Sequence, residues 1–424
     1  MSAFVEASHA DIAIVGAGAA GLFAAIHAAR LAPKARIVAL DSARTLGAKI
    51  LVAGGGRCNV THRAVSERDY FGGSRQQIRR VLRRFGVRET VAFFASCGVD
   101  LKEEETGKLF PTTDKARTVL DALVGAASAA GVEVVHPCRV EGITPADVGE
   151  DRLLVQTASG SLAARRVIIA TGGKSLPKSG SDGSGYALAQ ALGHSLTPLV
   201  LPALVPLTLP GGHWILSLSG LALDARVHAV AASGERLHSC EGAVLCTHFG
   251  LSGPAILDIS RHWLHAVESD AEARIEINWL PRFSPETLDA HLLSARGTSV
   301  SAAMHGLLPE RFFRALCTVA CVDPAMGVQQ VSRAARLALV RLATACELRP
   351  SGTRGFVAAE TTAGGVPLDE VDLATMNSVC CPRLHLCGEI LDVDGRIGGF
   401  SFQWAWATGF IAGSAAAAAL TQTG

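Results

Sequence analysis

The sequence lacks an uninterrupted apolar run long enough to cross a membrane. A membrane-spanning helix needs roughly 18 apolar residues, and the longest candidate, Leu196–Leu209, is interrupted by Pro198, Pro202 and Pro206. The N-terminal segment also lacks the basic region and apolar core of a signal peptide. We therefore expect a cytoplasmic protein that does not bind membranes.

The sequence also lacks an excess of charge of one sign. Its 424 residues include 39 Lys and Arg and 38 Asp and Glu, which gives a net charge of +1. Binding to nucleic acid or acidic lipid depends on a positive field. The balance argues against both partners and favours a small-molecule substrate. The hydrophobic fraction of 49% indicates a compact globular chain, and the length of 424 residues indicates two or three domains. The sequence gives no indication of the oligomeric state.

Metal-ligand spacing is absent among the eleven cysteines. Cys317 and Cys321 are four residues apart on a predicted helix, and Cys380 and Cys381 are adjacent, but no CxxC pair accompanies them. Without a signal peptide, a disulfide framework is not expected either. We predict reduced core thiols and no metal site.

The segment from Asp11 to Asp41 carries the clearest motif. The apolar run Ile12–Val15 leads directly into GAGAAG, which opens an alanine-rich helix, and a second apolar strand ends at Asp41, 20 residues beyond Gly21. In this strand, turn and helix, the glycines allow a tight turn and the close approach of a pyrophosphate, and the terminal acid accepts from a ribose hydroxyl. The spacing predicts a dinucleotide-binding βαβ unit.

A second glycine-rich stretch follows at residues 45–61, where Gly54–Gly56 precede Arg57, Cys58 and Asn59. A surface loop that requires positive φ angles is one interpretation. A loop that contacts the cofactor is the favoured one, because a plain surface loop does not need these three side chains behind its glycines.

Further strands and helices extend the α/β pattern. The sequence predicts a parallel strand at Val132–Val135, a buried strand ending in Ala170-Thr171-Gly172-Gly173, and another at Leu384–Glu389. It also predicts one amphipathic helix over Arg75–Cys97 and a terminal helix over Phe400–Ala418.

The residue pattern changes near Leu196. Short alternating segments separated by Gly, Pro and Ser indicate an antiparallel sheet or barrel, and a helical region begins at Ser284-Pro285. The first pattern resumes near Phe356. The chain therefore contains an inserted domain.

Six segments together resemble the bacterial YhiN/BaiN-like flavoproteins: GAGAAG, Lys49 with GGGRCNVT, ATGG with GSDGSGYALAQALGH, THFGLSGPAIL, TTAGGV and CGEILDVDGRIGGFSFQWAWATG. The resemblance implies an α/β, Rossmann-like FAD-binding fold of the glutathione-reductase and fumarate-reductase type (GR2-type). It places the FAD-binding domain at residues 1–195 and 356–424 and an inserted domain at 196–355, with a β-barrel at about 196–281 and helices at about 282–355.

The resemblance also implies which residues contact FAD. The predicted set is Gly16, Gly18, Ala19, Ala20 and Gly21 at the pyrophosphate; Asp41 and Ser42 at the ribose; Lys49, Gly56, Arg57, Cys58 and Asn59 near the isoalloxazine; Val140, Ala170, Thr171 and Gly172 near the adenine; and Gly388, Glu389, Asp392, Gly399, Phe400 and Gln403 around the ribityl and pyrimidine. The family usually has tyrosine and asparagine where this chain has Phe400 and Ser401.

The resemblance implies an FAD-dependent oxidoreductase that takes hydride from NAD(P)H and reduces a small apolar substrate with an activated C=C bond, as a bile-acid reductase does. No second GxGxxG follows a strand, so NAD(P)H would bind only transiently. Cys58 and His248 are the candidate proton donors, although a packed thiol and a structural histidine are the alternative interpretations. Two alternative functions remain: an oxidase of an amine or amino ketone, and a non-catalytic redox sensor or partner protein.

Overall fold

The computed structural model describes residues 8–146 and 151–421. Its contacts divide the chain into two units, of which the first runs to Pro202 and resumes at Glu360, and the second is Ala203–Ala359. The second unit begins and ends a few residues later than the insertion predicted at 196–355. Each unit has its own hydrophobic core.

The first unit begins with ten strands and six helices. The strands are β1 (Ser8–Val15), β2 (Ile37–Leu40), β3 (Thr61–His62), β4 (Tyr70–Gly72), β5 (Leu101–Glu103), β6 (Lys108–Pro111), β7 (Glu133–Val135), β8 (Val140–Pro145), β9 (Leu153–Thr157) and β10 (Gly160–Ile169). The helices are α1 (Ala19–Leu31), α2 (Ala48–Gly56), α3 (Arg75–Leu82), α4 (Val87–Ser96), α5 (Ala116–Ala129) and α6 (Ser184–Ala191).

The chain then continues through β11 (Leu201–Ala203), at the boundary, into the second unit. Its strands are β12 (Leu207–Thr208), β13 (Ala222–Val230), β14 (Arg236–Thr247), β15 (Gly250–Ser252), β16 (Arg274–Asn278), β17 (Cys346–Leu348) and β18 (Gly352–Thr353). Its helices are α7 (Pro254–Val267), α8 (Pro285–Ser294), α9 (Val300–Ala303), α10 (Glu310–Ala320) and α11 (Arg333–Thr344). The first unit ends with β19 (Thr361–Ala363), β20 (Val371–Asp372), β21 (Asn377–Ser378), β22 (Leu384–Leu386), β23 (Val393–Gly395) and α12 (Phe400–Thr421).

The seven strands of the second unit form one antiparallel sheet in the order β17-β16-β13-β14-β15-β12-β18. Its two end strands are consecutive in the chain, and residues 349–351 alone link them. Such a link spans at most about 15 Å, whereas six strand spacings in a flat sheet would separate the edges by roughly 29 Å. The sheet therefore curls until its edges approach, as in a barrel. Both end strands lie beyond the segment predicted for the barrel, because strands of two and three residues leave no readable alternation.

The main sheet of the first unit has nine strands, with the path β20-β21-β22-β10-β1-β2-β7 and with β9 and β8 joined to it through β10. The central pairs β22/β10, β10/β1, β1/β2 and β2/β7 are parallel. All four residues of β2 are buried, as are Ile12–Val15 of β1 and Val167–Ile169 of β10, which explains these continuous apolar runs.

The register of this sheet aligns the ends of its central strands. Val15 lies opposite both Ile169 and Leu40, and Ile169 lies opposite Leu386. The segments that follow these four strands therefore leave the sheet along one edge. In parallel α/β sheets this edge is where ligands bind.

One predicted helix is divided. The segment Arg75–Cys97 forms α3 and α4, because Gly86 has extended φ and ψ angles and its N–H is capped by the Glu89 side chain at 3.0 Å. The prediction of one continuous helix was wrong, since amphipathic periodicity carries across a short break. Among the described residues, no helix is both long enough and apolar enough to cross a membrane.

Candidate functional site

The turn between β1 and α1 is formed by glycines that have different surroundings. A Cβ at Gly16 would lie 2.5 Å from the carbonyl oxygen of Ala170, and a Cβ at Gly21 would lie 1.8 Å from that of Gly16. A Cβ at Gly18 would have no described heavy atom within 4 Å. Gly16 and Gly21 are therefore required by packing against the sheet, whereas Gly18 borders open space that a ligand can enter.

Asp41 holds this turn in place. Its two carboxylate oxygens accept from the backbone N–H groups of Ala17 at 2.6 Å and Ala43 at 2.7 Å. A carboxylate has about four acceptor positions, so acceptor capacity remains for the predicted ribose hydroxyl. The sequence motif predicted the ribose contact but not the bond to Ala17, which fixes the turn itself.

The first turn of α1 presents a positive end. Gly18 is the N-cap residue and supplies no side-chain hydrogen bond to the helix, and no acidic residue lies in the first helical turn that begins with Ala19 and Ala20. Unpaired N–H groups and the helix dipole make such an end a binding site for phosphate oxygens.

Residues of the predicted adenine region lie beside this turn. The backbone N–H of Cys138 donates to the carbonyl oxygen of Asp41 at 2.6 Å, and Val140 begins β8 two residues later. Ser42 lies near Gly180, where a Cβ would be 3.3 Å from its hydroxyl oxygen. A Cβ at Gly185 would lie 1.8 Å from Oγ1 of Thr171, so α6 packs against the Ala170-Thr171-Gly172 segment.

An ion pair joins α2 to the segment after β22. Lys49 Nζ lies 2.5 Å from Glu389 Oε2, and Glu389 Oε1 accepts from the backbone N–H of Thr362 at 3.0 Å. Thr362 Oγ1 in turn accepts from the backbone N–H of Lys174 at 2.8 Å. Four segments distant in sequence are thus held together at the edge, and Thr362 is a member that the sequence analysis missed.

The glycine-rich loop has its own supports. Ala53–Gly55 depart from helical angles within α2, and Arg57 bonds Glu104 at 2.5 Å while its guanidinium carbon lies 4.1 Å from the centre of the Phe110 ring. Cys58 is fully buried, and burial raises the pKa of its thiol to about 12. Within the protein, Arg57 holds the loop and Cys58 packs beneath it.

The N-terminus of α12 is assembled from distant segments. Gly399 has φ +92°, and a Cβ there would lie 2.7 Å from the backbone carbon of Thr61. The Tyr70 hydroxyl donates to the carbonyl oxygen of Phe400 at 2.8 Å, and the first turn of α12 contains no acidic residue. Gly388 lies near α1, since a Cβ there would be 2.8 Å from Cβ of Ala20.

Gln403 is completely buried in α12, and its side chain joins three other segments. Its Oε1 accepts from the hydroxyls of Thr61 at 2.7 Å and Thr90 at 2.9 Å, and its Nε2 donates to the carbonyl oxygen of Phe85 at 3.0 Å. These bonds give Gln403 a structural role, and its contact with the cofactor remains a prediction. Asp392 contributes a backbone bond, in which its carbonyl oxygen accepts from the N–H of Gly73 at 2.9 Å.

Three buried oxygen atoms near these elements lack a hydrogen-bond partner among the described residues: Asn59 Oδ1, Thr361 Oγ1 and Ser401 Oγ. Asn59 Oδ1 would be 2.8 Å from a Cβ at Gly399, Ser401 is the second residue of α12, and Thr361 precedes Thr362. Buried polar groups are almost always paired. Together with the open space at Gly18, the unpaired oxygens fit the predicted dinucleotide.

One group in the described part of the chain could hold a metal ion: His194, Glu370 and Cys380. Ser378 Oγ accepts from two backbone N–H groups, at 3.0 and 2.8 Å, so its own hydrogen is donated to Nε2 of His194 at 2.7 Å. The imidazole must then carry its proton on Nδ1, which donates to Glu370 at 2.9 Å. The network is satisfied without an ion, and the absence of a metal remains a prediction.

His248 belongs to the second unit. It is exposed at the turn between β14 and β15, and its ring centre lies 5.1 Å from that of Phe249. Its role as a proton donor remains a prediction.

Comparison with known proteins gives consistent matches over nearly the whole chain. The model of the HI0933-like protein Rossmann domain family matches residues 10–415. A 3-dehydro-bile acid delta(4,6)-reductase of Clostridium scindens is 35% identical over 410 residues, which cover 96% of this chain and 98% of the relative. A ribosomal RNA dihydrouridine synthase of Haemophilus influenzae is 30% identical over 402 residues, which cover 94% of this chain and 96% of the relative.

Solved structures share the fold at lower identity. A quinol fumarate reductase of E. coli superposes with a TM-score of 0.52 at 17% identity, over 99% of this chain and 72% of that chain. A 3-ketosteroid-delta4-(5alpha)-dehydrogenase of Rhodococcus jostii gives a TM-score of 0.50 at 16% identity, over 98% of both chains. These similarities confirm the predicted fumarate-reductase type of Rossmann-like fold.

Proposed function

The chain belongs to the HI0933-like Rossmann family of FAD-dependent flavoproteins and is an oxidoreductase. We propose that it reduces a C=C bond conjugated to a carbonyl group in a small apolar substrate. NAD(P)H would serve as a transient electron donor. The observation that carries this proposal is the 35% identity with a bile-acid reductase along almost the full length of both chains.

The names of the relatives point to one kind of chemistry. A 3-dehydro bile acid with delta(4,6) unsaturation has double bonds conjugated to a ketone, and dihydrouridine differs from uridine by saturation of the double bond next to a ring carbonyl. In both substrates the carbonyl makes the more distant alkene carbon electrophilic. Hydride addition to a conjugated C=C bond is therefore the reaction class that we assign to this chain.

A uracil base in RNA is the second candidate substrate. It is favoured by two relatives named ribosomal RNA dihydrouridine synthase, each 30% identical over 94% of this chain. The near-neutral net charge argued against a nucleic-acid partner. Net charge describes the average surface rather than a local one, so we keep RNA as an alternative in the test below.

FAD, when bound, supplies the hydride-transfer chemistry. The residues of the chain would hold it by two helix ends: the N–H groups of Ala19 and Ala20 would bind the pyrophosphate, and the N-terminus of α12 would stabilise negative charge on the flavin. The Lys49–Glu389 pair, 2.5 Å apart, fixes the segments between the two ends.

Reduction of a C=C bond also requires a proton, which a titratable side chain can supply. A thiol whose pKa is raised to about 12 by burial is a poor proton donor at neutral pH, so Cys58 is disfavoured. His248 is exposed in the second unit, and we retain it as the candidate donor.

Anaerobic reduction separates the candidates. NADH and NADPH are each mixed with the purified yellow protein, and the reduced protein is then offered a 3-oxo-4-ene steroid, a ribosomal RNA transcript, or no acceptor. We expect bleaching by a nicotinamide and rapid return of the flavin absorbance with the steroid. If the flavin absorbance returns only with the RNA, the substrate is a uracil base in RNA rather than a small apolar molecule.

The same experiment tests the other functions considered from the sequence. Bleaching by an amine but by neither nicotinamide would identify an oxidase and would contradict the reductase proposal. A flavin that no small reductant bleaches would indicate a sensor or partner protein.

A further inference from the structure

The chain has two tyrosines, and their hydroxyls differ in one respect. Both side chains are buried, with Tyr70 at 4% and Tyr186 at 3% exposure. The Tyr70 hydroxyl donates to the carbonyl oxygen of Phe400 at 2.8 Å, whereas the Tyr186 hydroxyl has no hydrogen-bond partner among the described residues. A buried hydroxyl without a partner destabilises the fold more than a made hydrogen bond stabilises it.

Tyr186 lies next to the sheet edge where FAD is predicted to bind. It lies in the first turn of α6, and the backbone N–H of Gly183 before that helix donates to the carbonyl oxygen of Gly173 at 3.0 Å. Its neighbour Gly185 packs on Thr171, where a Cβ would be 1.8 Å from Oγ1. The position of Tyr186 is therefore fixed by the segment that follows β10.

The charges around Tyr186 decide which way its hydroxyl can bond. Burial, together with the carboxylates of Glu389 and Asp392, raises the pKa of the Tyr186 phenol, so the hydroxyl keeps its proton and can donate it. Both oxygens of Glu389 already accept, from Lys49 and from the N–H of Thr362. No acceptor among the described residues, these two carboxylates included, forms a hydrogen bond with the Tyr186 hydroxyl, so its acceptor has to come from a bound molecule.

We propose that Tyr186 donates a hydrogen bond to an oxygen atom of bound FAD. The described part of the chain leaves this hydroxyl unpaired because an oxygen of the cofactor is its acceptor. This contact goes beyond the reaction proposed above, since it concerns cofactor affinity and holds for any substrate.

The test uses apoprotein and the matched variants Tyr186→Phe and Tyr70→Phe. For Y186F we expect FAD to bind roughly fivefold to tenfold more weakly, which is the effect of losing one hydrogen bond, and the melting temperature of the apoprotein to be unchanged or higher. For Y70F we expect a lower apoprotein melting temperature, because the carbonyl of Phe400 loses its donor. Unchanged FAD affinity in Y186F would overturn the proposal, whether or not its stability falls.

A second measurement does not depend on the folding of the variants. Wild-type protein labelled with fluorotyrosine gives two fluorine resonances, and Y70F identifies the one from Tyr186. FAD addition is expected to shift the Tyr186 resonance, and a resonance that does not move contradicts the contact. Protein that binds FAD, shows this shift and yet reduces no conjugated substrate would refute the proposed reaction while supporting the role of Tyr186.

Discussion

Two helices of the first unit begin near the sheet edge where FAD is predicted to bind, and their N-termini are built in different ways. The start of α1 follows β1 directly, and its turn is fixed by Gly16, Gly21 and the carboxylate of Asp41, all within one βαβ unit. The start of α12 depends on Tyr70 and on three segments that Gln403 joins, at separations of more than 300 residues along the chain.

The shared feature is the positive end of a helix dipole. Neither first turn contains an acidic residue. The lesson is that one electrostatic task, holding negative charge, can be performed by a local motif or by a tertiary assembly. Changes at α1 should therefore affect mainly the ligand, and changes at α12 should affect mainly the fold.

The largest expected effect comes from Gly18→Glu at the start of α1. A Cβ at Gly18 meets no heavy atom of the described residues within 4 Å, so the variant should fold, but its carboxylate would face the predicted pyrophosphate. Two like charges about 4 Å apart near a protein surface repel by roughly 4 kcal/mol, which is about a thousandfold in affinity. Gly18→Ala is the control. A yellow G18E protein with full FAD content would break the comparison.

The next effect is expected from Gln403→Leu in α12. This change removes the partner of the buried Thr61 and Thr90 hydroxyls and of the Phe85 carbonyl, and we expect a loss of about 3 kcal/mol in the free energy of unfolding of the apoprotein. Denaturant titration measures this loss. Ser414→Ala serves as the control, because its buried Oγ has no partner among the described residues. Equal stability of Q403L and S414A would show that the polar network is dispensable.

Asp41→Asn should give a mixed and smaller effect. The amide oxygen can keep one of the two backbone bonds, to Ala17 or Ala43, but the amide nitrogen cannot accept the other. We expect about 1.5 kcal/mol less stability and roughly tenfold weaker FAD binding. Asp121→Asn, on an exposed face, is the control. If D41N loses stability but binds FAD with unchanged affinity, the predicted contact between Asp41 and the ribose is wrong.

The smallest effect is expected from Cys58→Ser, for which turnover should stay within about twofold because a buried protonated thiol takes no part in chemistry. Burial raises the Cys58 pKa from its ordinary value of 9.0 to about 12. The folded state therefore retains a proton that the unfolded state loses, and the stability from this group is complete below pH 9.0 and is lost as pH rises toward 12. Unfolding at a series of alkaline pH values should show a shallower decline in C58S. A large loss of turnover in C58S would instead support a chemical role for the Cys58 thiol.

The sheet edge where FAD is predicted to bind shows which features can be predicted from the sequence. GAGAAG and Asp41 predicted their turn correctly because strand, turn, helix and acid follow one another with fixed spacing. The apolar strands ending at Ile169 and Leu386 were also identified from the sequence, and the sheet register then aligned them with Val15. The break at Gly86 was missed, since periodicity does not report a single extended residue.

The sequence by itself determined the βαβ unit, the buried parallel strands and the glycine positions, because these depend on neighbouring residues and on periodicity. Only the tertiary structure decided which side chains meet across hundreds of residues: Lys49 with Glu389, Tyr70 with Phe400, Gln403 with Thr61 and Thr90. Only the tertiary structure shows that the Tyr186 hydroxyl is buried with no hydrogen-bond partner in the described ranges 8–146 and 151–421. The reason is physical: a hydrogen bond depends on distance and direction in space, and no local pattern along the chain encodes which distant group will be brought within reach.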